Sequence, residues 1–275
     1  MKLNSLKAFA RKIRQDLIAQ ITSRLELAVA PNSEYSRANR LGYQTLLSAI
    51  QERGRERVIE QVAYYWFNRL CALRFMDLKG YLPSMVISPV EGSTDPEILY
   101  EARNGIVNEA LLQDLHAQAQ VQDILAGRVS CQDPIAEVYR ILLNGACNTL
   151  STGMPFLFQK ANDYTEYLLP ADLLSTQSVV SQMCANIGAE DCQSVEILGW
   201  LYQYYISEKK DEIFADLKAN KKISPENIGP ATQLFTPEWI VRYLVENFLG
   251  KIMDAQSPGF PTCYYNGVLH SAGRR

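Results

Sequence analysis

This 275-residue chain lacks several features that mark a membrane protein, a secreted disulfide scaffold or a metal-binding protein. No run of eighteen or more apolar residues occurs, so the sequence predicts no membrane span. The six cysteines include no CxxC pair, and only two histidines could complete a zinc site. We therefore expect a cytoplasmic protein that binds neither membrane nor metal, whose cysteines are mostly small buried hydrophobes.

Motifs of common active sites are absent as well. The sequence contains no GxSxG, no HExxH, no phosphate-binding GxxxxGK[ST] and no GxGxxG. The two histidines leave few candidates for a general base, and the many carboxylates have no distinguishing context. We therefore assign no catalytic residue, and whether the chain is an enzyme stays open on these residues.

The N-terminus mixes basic and apolar side chains without a continuous apolar stretch. An organellar transit peptide can have this composition, but Asp16, Glu26 and a helical pattern that continues past residue 20 favour an ordinary first helix. Apolar residues recur every three or four positions along one side of this segment, and this stripe predicts a helix over residues 3–29. Its members are Leu3, Leu6, Ala10, Ile13, Leu17, Ile21 and Leu25.

Positive charge is concentrated at the start of the chain. Residues 1–74 hold 13 Lys and Arg against 6 Asp and Glu, whereas residues 75–275 hold 14 against 24. A basic surface can bind double-stranded DNA by neutralising phosphates, and Arg53, Arg55 and Arg57 beside Gly54 are the phosphate-contact candidates. A solvated helix face is the alternative, and charge alone favours it.

Helical patterns separated by turn formers predict a mainly α fold. The first predicted part is a basic helical region, residues 1–80. Ser36 is expected to cap its second helix, and Gly54 to separate that helix from a third. The third helix contains a bulky aromatic run at residues 64–67 (YYWF), which we expect to be buried. Residues 81–96 contain three prolines and predict a linker with one short strand at most.

A helical domain is predicted over residues 97–256. Asp133 is expected to cap a helix that begins at Pro134 and stops at Gly145, and a later helix over residues 194–218 should break near Ser207. Strands do not alternate with helices, so a parallel-sheet nucleotide fold is not predicted.

The sequence Phe235-Thr236-Pro237 precedes the last predicted helix. Thr236 suits the N-cap and Pro237 the first helical position, which predicts a helix as far as about Leu249. The helix N-terminus could receive a carboxylate or phosphate of a cofactor, and Phe235 offers an apolar surface beside it. A simple capping motif is the alternative that spacing alone favours.

Residues 233–247, which read QLFTPEWIVRYLVEN, resemble a stretch of the PglX family, the adenine-specific DNA methyltransferases of BREX phage-defence systems. Further stretches agree in order and cover the chain to about residue 254. They are 66–70 (WFNRL), 74–76 (RFM), 80–83 (GYLP), 168–170 (LLP), 172–174 (DLL), 199–205 (GWLYQYY) and 208–210 (EKK).

This resemblance implies the N-terminal region of an enzyme that transfers methyl from S-adenosylmethionine to N6 of a flipped-out adenine. In related methyltransferases a Phe-Thr-Pro element lines the methionine end of the cofactor, which points to Phe235, Thr236 and Pro237. The glycine-rich cofactor turn and the Asn/Asp-Pro-Pro-Tyr tetrapeptide that holds the target adenine are absent. We therefore expect the chain to end before the α/β core and to be inactive alone. A non-enzymatic helical module that binds DNA or other defence-system subunits is the alternative.

Residues 257–275 are rich in turn formers and no longer resemble the family. We expect them to form an atypical tail whose composition permits disorder. Our hypothesis is that the open reading frame was truncated or shifted near residue 256.

Overall fold

The computed structural model describes residues 3–158 and 164–249, and within these ranges every regular element is a helix. The chain divides between Asp211 and Glu212 into two compact units. The mainly α class is therefore confirmed. The predicted tail lies outside the described residues.

The first unit contains ten α-helices among its described residues and the start of another. They are α1 Leu3–Val29, α2 Glu34–Ala38, α3 Arg40–Arg53, α4 Arg55–Lys79, α5 Glu97–Arg103, α6 Leu115–Leu125, α7 Pro134–Leu150, α8 Tyr164–Tyr167, α9 Val179–Asn186, α10 Glu196–Tyr205 and the first turn of α11 Ser207–Lys218. The second unit continues α11 and adds α12 Pro225–Thr232, α13 Glu238–Leu244 and a π-helix at Val245–Leu249.

Helix α1 forms because its apolar residues recur every three or four positions, and the predicted stripe is the buried one. Ile13, Leu17 and Ile21 are fully inaccessible to solvent. Helix α1 packs against α4, α9 and α10, so it is central to the first unit.

The start of α2 differs from the prediction. Ser36 lies inside α2, and the cap is Ser33, whose hydroxyl accepts a hydrogen bond from the Ser36 N–H at 3.1 Å. Ser33 can cap because the chain reverses just before it at Asn32, which has a φ of 56°. The predicted division at Gly54 is confirmed, with a φ of 85° that favours glycine.

Helix α4 buries the aromatic run, as predicted. Trp66 and Phe67 are almost fully inaccessible, and the Trp66 indole N–H donates to the Thr165 carbonyl at 2.9 Å. The helix ends at Gly80, whose left-handed φ of 63° lets its N–H reach back to the Asp77 carbonyl.

Residues 81–96 form no strand and lie against α4. Val86 and Ile87 are buried, and the Asp77 carboxylate accepts hydrogen bonds from the N–H groups of Val86, Ile87 and Ser88 at 2.9 to 3.0 Å. One buried carboxylate therefore organises the turn. The predicted domain limits at 80 and 96 stay predictions.

Helix α7 begins as predicted, because Asp133 accepts the Ala136 N–H at 3.0 Å and Pro134 occupies the first turn. The predicted stop at Gly145 is wrong, since α7 continues to Leu150. A Cβ atom at Gly145 would collide with the Leu112 side chain, so this glycine permits close packing. The predicted break near Ser207 is confirmed, since α10 ends and α11 begins around Ile206.

Candidate cofactor and nucleic-acid sites

The Phe-Thr-Pro element lies in the second unit, in the irregular stretch between α12 and α13. Phe235 is 40% exposed, Thr236 is exposed and Pro237 is half-buried. The three residues therefore present an apolar ring and a hydroxyl group at an accessible helix junction.

The local geometry corrects the predicted cap. Pro237, not Thr236, occupies the N-cap position, with a ψ of 143° and no side-chain capping bond. Because that ψ is extended, Glu238 is the first helical residue, and the Pro237 carbonyl accepts the N–H groups of Ile240 and Val241. The predicted helix is present as far as Leu249, where a π-helix at Val245–Leu249 continues α13, and its predicted end at residue 250 lies outside the described residues.

Large apolar side chains are exposed along α13 and the π-helix. Trp239 is 70% exposed and Phe248 63%. Val241, Tyr243, Leu244 and Val245 are each at least 40% exposed. Helices that are apolar on most faces are normally covered by other protein, so this surface is suited to packing against protein.

The three candidate arginines lie together at the corner between α3 and α4, the arginine corner (Arg53, Arg55 and Arg57). All three side chains are exposed, and Arg53 donates to the Gln61 amide oxygen at 2.9 Å. Arg55 and Arg57 are in the first turn of α4, where the positive end of the helix dipole disfavours cations. The corner therefore presents three guanidinium groups at the surface, interleaved with the exposed carboxylates of Glu52 and Glu56.

Two basic residues of α1, Arg11 and Arg14, form ion pairs with other helices. Arg14 forms ion pairs with Glu60 at 3.4 Å and with Glu208 at 3.2 Å, and its side chain is only 13% exposed. Arg11 donates to Ser207 and pairs with Asp211 at 3.1 Å. These arginines tie α1 to α4 and to the start of α11, so the excess of basic residues overstates the charge available to a ligand.

The cysteines of the described residues have free thiols, and Cys71, Cys147 and Cys192 are buried. Burial raises the pKa of Cys147 to about 12 and also raises the pKa of Cys71. Both thiols are therefore protonated at neutral pH, when they are poor nucleophiles.

Within residues 3–158 and 164–249 no group of histidine, cysteine, aspartate and glutamate is arranged to hold a metal ion. Over the same residues, no helix combines the length and apolar character needed to cross a membrane.

Comparison with known proteins supports the resemblance of the motifs. No protein-family model matches the chain. The chain is similar to the adenine-specific methyltransferase BrxX of Escherichia coli O9:H4 (strain HS). The two are 38% identical over an alignment that is 275 residues long and covers 91% of the chain. It is 36% identical, over 226 aligned residues and 78% of its length, to the adenine-specific methyltransferase PglX of Lacticaseibacillus casei (strain Zhang).

Identity at this level over most of the chain places it in a family whose relatives are named adenine-specific methyltransferases. The chain belongs to the family of BrxX and PglX. The alignments cover 22% of BrxX and 17% of PglX, so the chain spans about a fifth of the length of these relatives.

Proposed function

We propose that this chain is the N-terminal helical part of a site-specific DNA methyltransferase, which uses S-adenosylmethionine to methylate adenine N6 in BREX phage defence. The observation behind the proposal is the similarity of 91% of the chain to BrxX, which is named an adenine-specific methyltransferase. The chain alone is inactive, because its sequence lacks the glycine-rich cofactor turn and the target-adenine tetrapeptide.

In this proposal the second unit presents the cofactor element to the catalytic domain. Phe235, Thr236 and Pro237 contribute one wall of the S-adenosylmethionine site, and the exposed apolar surface of α13 packs on the α/β core that supplies the other walls. Exposed Trp239 and Phe248 support the packing, because burying one such side chain contributes roughly 1.5–3 kcal/mol. Exposed Phe235 supports the wall, because its ring is accessible to a ligand.

The arginine corner contacts the phosphates of double-stranded DNA. Each arginine that neutralises a phosphate releases counterions, so affinity falls as salt rises. Contacts of this kind position the enzyme on DNA and carry no sequence information.

Isothermal titration of S-adenosylmethionine into the chain, together with radiolabelled methyl transfer to duplex DNA, tests the enzymatic part. We expect neither cofactor binding nor transfer. The contrary result is micromolar binding of S-adenosylmethionine that Phe235→Ala weakens at least tenfold. Phe214→Ala, at another exposed phenylalanine, is the control and would leave the binding unchanged. Together these observations would show that the chain has a complete cofactor site. That result would contradict the proposal that another domain is required.

A non-enzymatic module that binds DNA or defence-system subunits is the second candidate. It is favoured by the arginine corner, which is exposed at the junction of two helices of the first unit and needs no further domain. The candidates differ in one observable, which is measured in a longer family sequence that is catalytically competent. If the chain is part of the methyltransferase, replacing Arg53, Arg55 and Arg57 by glutamine lowers methylation. If it is a separate binding module, the same replacement lowers DNA retention alone.

A further inference from the structure

A set of charged and polar contacts holds the first turn of α11 against α1 and α4. Its centre is Arg14 on α1, which pairs with Glu208 of α11 at 3.2 Å and with Glu60 of α4 at 3.4 Å. Glu208 also accepts a hydrogen bond from the Gln15 amide at 3.0 Å, and Lys209 pairs with Glu60 at 3.4 Å. Three helices of the first unit therefore meet in one network of opposite charges.

A second part of these contacts lies one turn earlier on α1. The Arg11 guanidinium group pairs with Asp211 at 3.1 Å and donates to the Ser207 hydroxyl at the same distance. Side chains of four of the five residues 207–211 therefore make polar contacts with α1 or α4. Both parts together are called the α11 network below.

Apolar packing differs on the two sides of the break between α10 and α11. Before the break, Tyr205 is buried and its ring centroid lies 4.3 Å from that of Phe67 on α4. After it, Ile213 is the only buried residue among the described residues of α11, and Phe214 and Leu217 are 45% and 37% exposed. The end of α10 is thus attached by apolar packing, whereas the first turn of α11 is attached mainly by charge.

The α11 network lies at the edge of the first unit, where water and dissolved ions reach part of it. The side chain of Glu208 is 26% exposed and that of Lys209 is 31% exposed. Dissolved salt weakens ion pairs at such positions, whereas it does not screen apolar packing. A rise in ionic strength therefore loosens the start of α11 and leaves α10 in place.

We propose that the α11 network is an ionic latch, which docks the start of α11 on α1 at low ionic strength and releases it at high ionic strength. The break at Ile206 permits this movement, because its ψ of −3° interrupts the helical backbone between α10 and α11. Helix α11 has 12 residues, and helices this short are marginal in water unless other protein packs against them. Release therefore exposes its backbone N–H groups to solvent. The latch does not depend on the proposed methyltransferase function.

Hydrogen–deuterium exchange of the purified chain, followed by mass spectrometry, tests the proposal. Residues 207–218 of α11 are compared with residues 196–205 of α10. Raising NaCl from about 0.1 M to about 1 M shortens the Debye length from about 10 Å to about 3 Å. We expect residues 207–218 to exchange about tenfold faster at the higher salt, the effect of losing roughly one charge-assisted contact, and residues 196–205 to change little.

Two variants remove the charges one at a time. Glu208→Gln removes the carboxylate that faces Arg14, and Arg14→Gln removes the guanidinium group while leaving the sequence of α11 unchanged. At about 0.1 M salt each variant should speed exchange of residues 207–218 about tenfold and make it nearly independent of salt. Glu212→Gln, at an exposed glutamate one turn further along α11, removes the same charge outside the network and should match the unmodified chain.

Three results would overturn the proposal. The first is exchange of residues 207–218 that does not respond to salt, and the second is an equal effect of Glu212→Gln and Glu208→Gln. The third is exchange of residues 196–205 that rises by the same factor at high salt or in Glu208→Gln, because the pairs would then stabilise the first unit as a whole. Circular dichroism shows whether each variant is folded. Glu208→Gln, at the more exposed partner, keeps the test decisive if Arg14→Gln does not fold.

Discussion

Replacing Asp77 by alanine should destabilise the protein far more than removing a typical surface carboxylate. The two oxygens of Asp77 accept three backbone N–H groups, from Val86, Ile87 and Ser88, and the Ser88 hydroxyl at 2.7 Å. All of these groups are buried, so the alanine variant leaves three backbone donors without an acceptor. A buried unpaired donor costs roughly 1–3 kcal/mol, and partial hydration recovers some of it, so we expect a loss of about 4 kcal/mol.

Asp77→Asn should cost less, about 2 kcal/mol, because one oxygen remains as an acceptor while the amide N–H₂ group faces donors. Urea unfolding followed by far-ultraviolet circular dichroism measures both variants. Asp123→Ala is the control, because Asp123 is 43% exposed and pairs with Arg128 at the surface, and its loss should cost below about 1 kcal/mol. If Asp77→Ala shifts the midpoint no more than Asp123→Ala, the proposed role of the carboxylate in holding residues 85–88 is refuted.

Other predictions concern ion pairs, thiols and packing. Arg14→Ala should lower the free energy of unfolding by about 2 kcal/mol and Arg11→Ala by less than about 1, because only Arg14 is largely buried. Burial raises the pKa of Cys147 to about 12 in the folded protein, whereas an unfolded thiol titrates at about pH 8.5. The free energy of unfolding should therefore decline as the pH rises from about 8.5 to about 12. Urea titrations at several pH values should show a smaller decline in Cys147→Ala. Gly145→Ala should cost about 1–3 kcal/mol in the same assay because its Cβ displaces Leu112, and equal stability would show that the contact relaxes freely.

Local signals predicted the helices well. The stripe of Ile13, Leu17 and Ile21 fixes the buried face of α1 through its spacing, and Asp133 followed by Pro134 identifies the start of α7. These features depend on neighbours within one or two helical turns. The sequence contains everything needed to infer them.

Features that depend on distant partners were not predictable in this way. Gly145 was expected to end a helix, but its role is set by Leu112, which packs against it from another part of the chain. Arg14 belonged to a basic stretch by composition, yet its partner Glu208 lies 194 residues away. No linear pattern encodes such pairs.

The candidate sites show the same limit. The family motif predicts Phe235, Thr236 and Pro237 as cofactor residues, and that role stays a prediction, whereas the one-residue shift of the helix start depends on the ψ of Pro237.

The most direct test of a DNA-contacting role is the salt dependence of duplex binding, measured by mobility shift from about 50 to 200 mM salt. The variant Arg53→Gln, Arg55→Gln, Arg57→Gln is compared with Lys7→Gln, Arg37→Gln, Arg40→Gln, which removes the same charge elsewhere in the basic third.

Three phosphate contacts at the arginine corner predict that the first variant reduces the slope of log affinity against log salt by about 3, while the second variant changes it little. Equal effects of the two variants, or a slope near zero for the unmodified chain, would contradict the account.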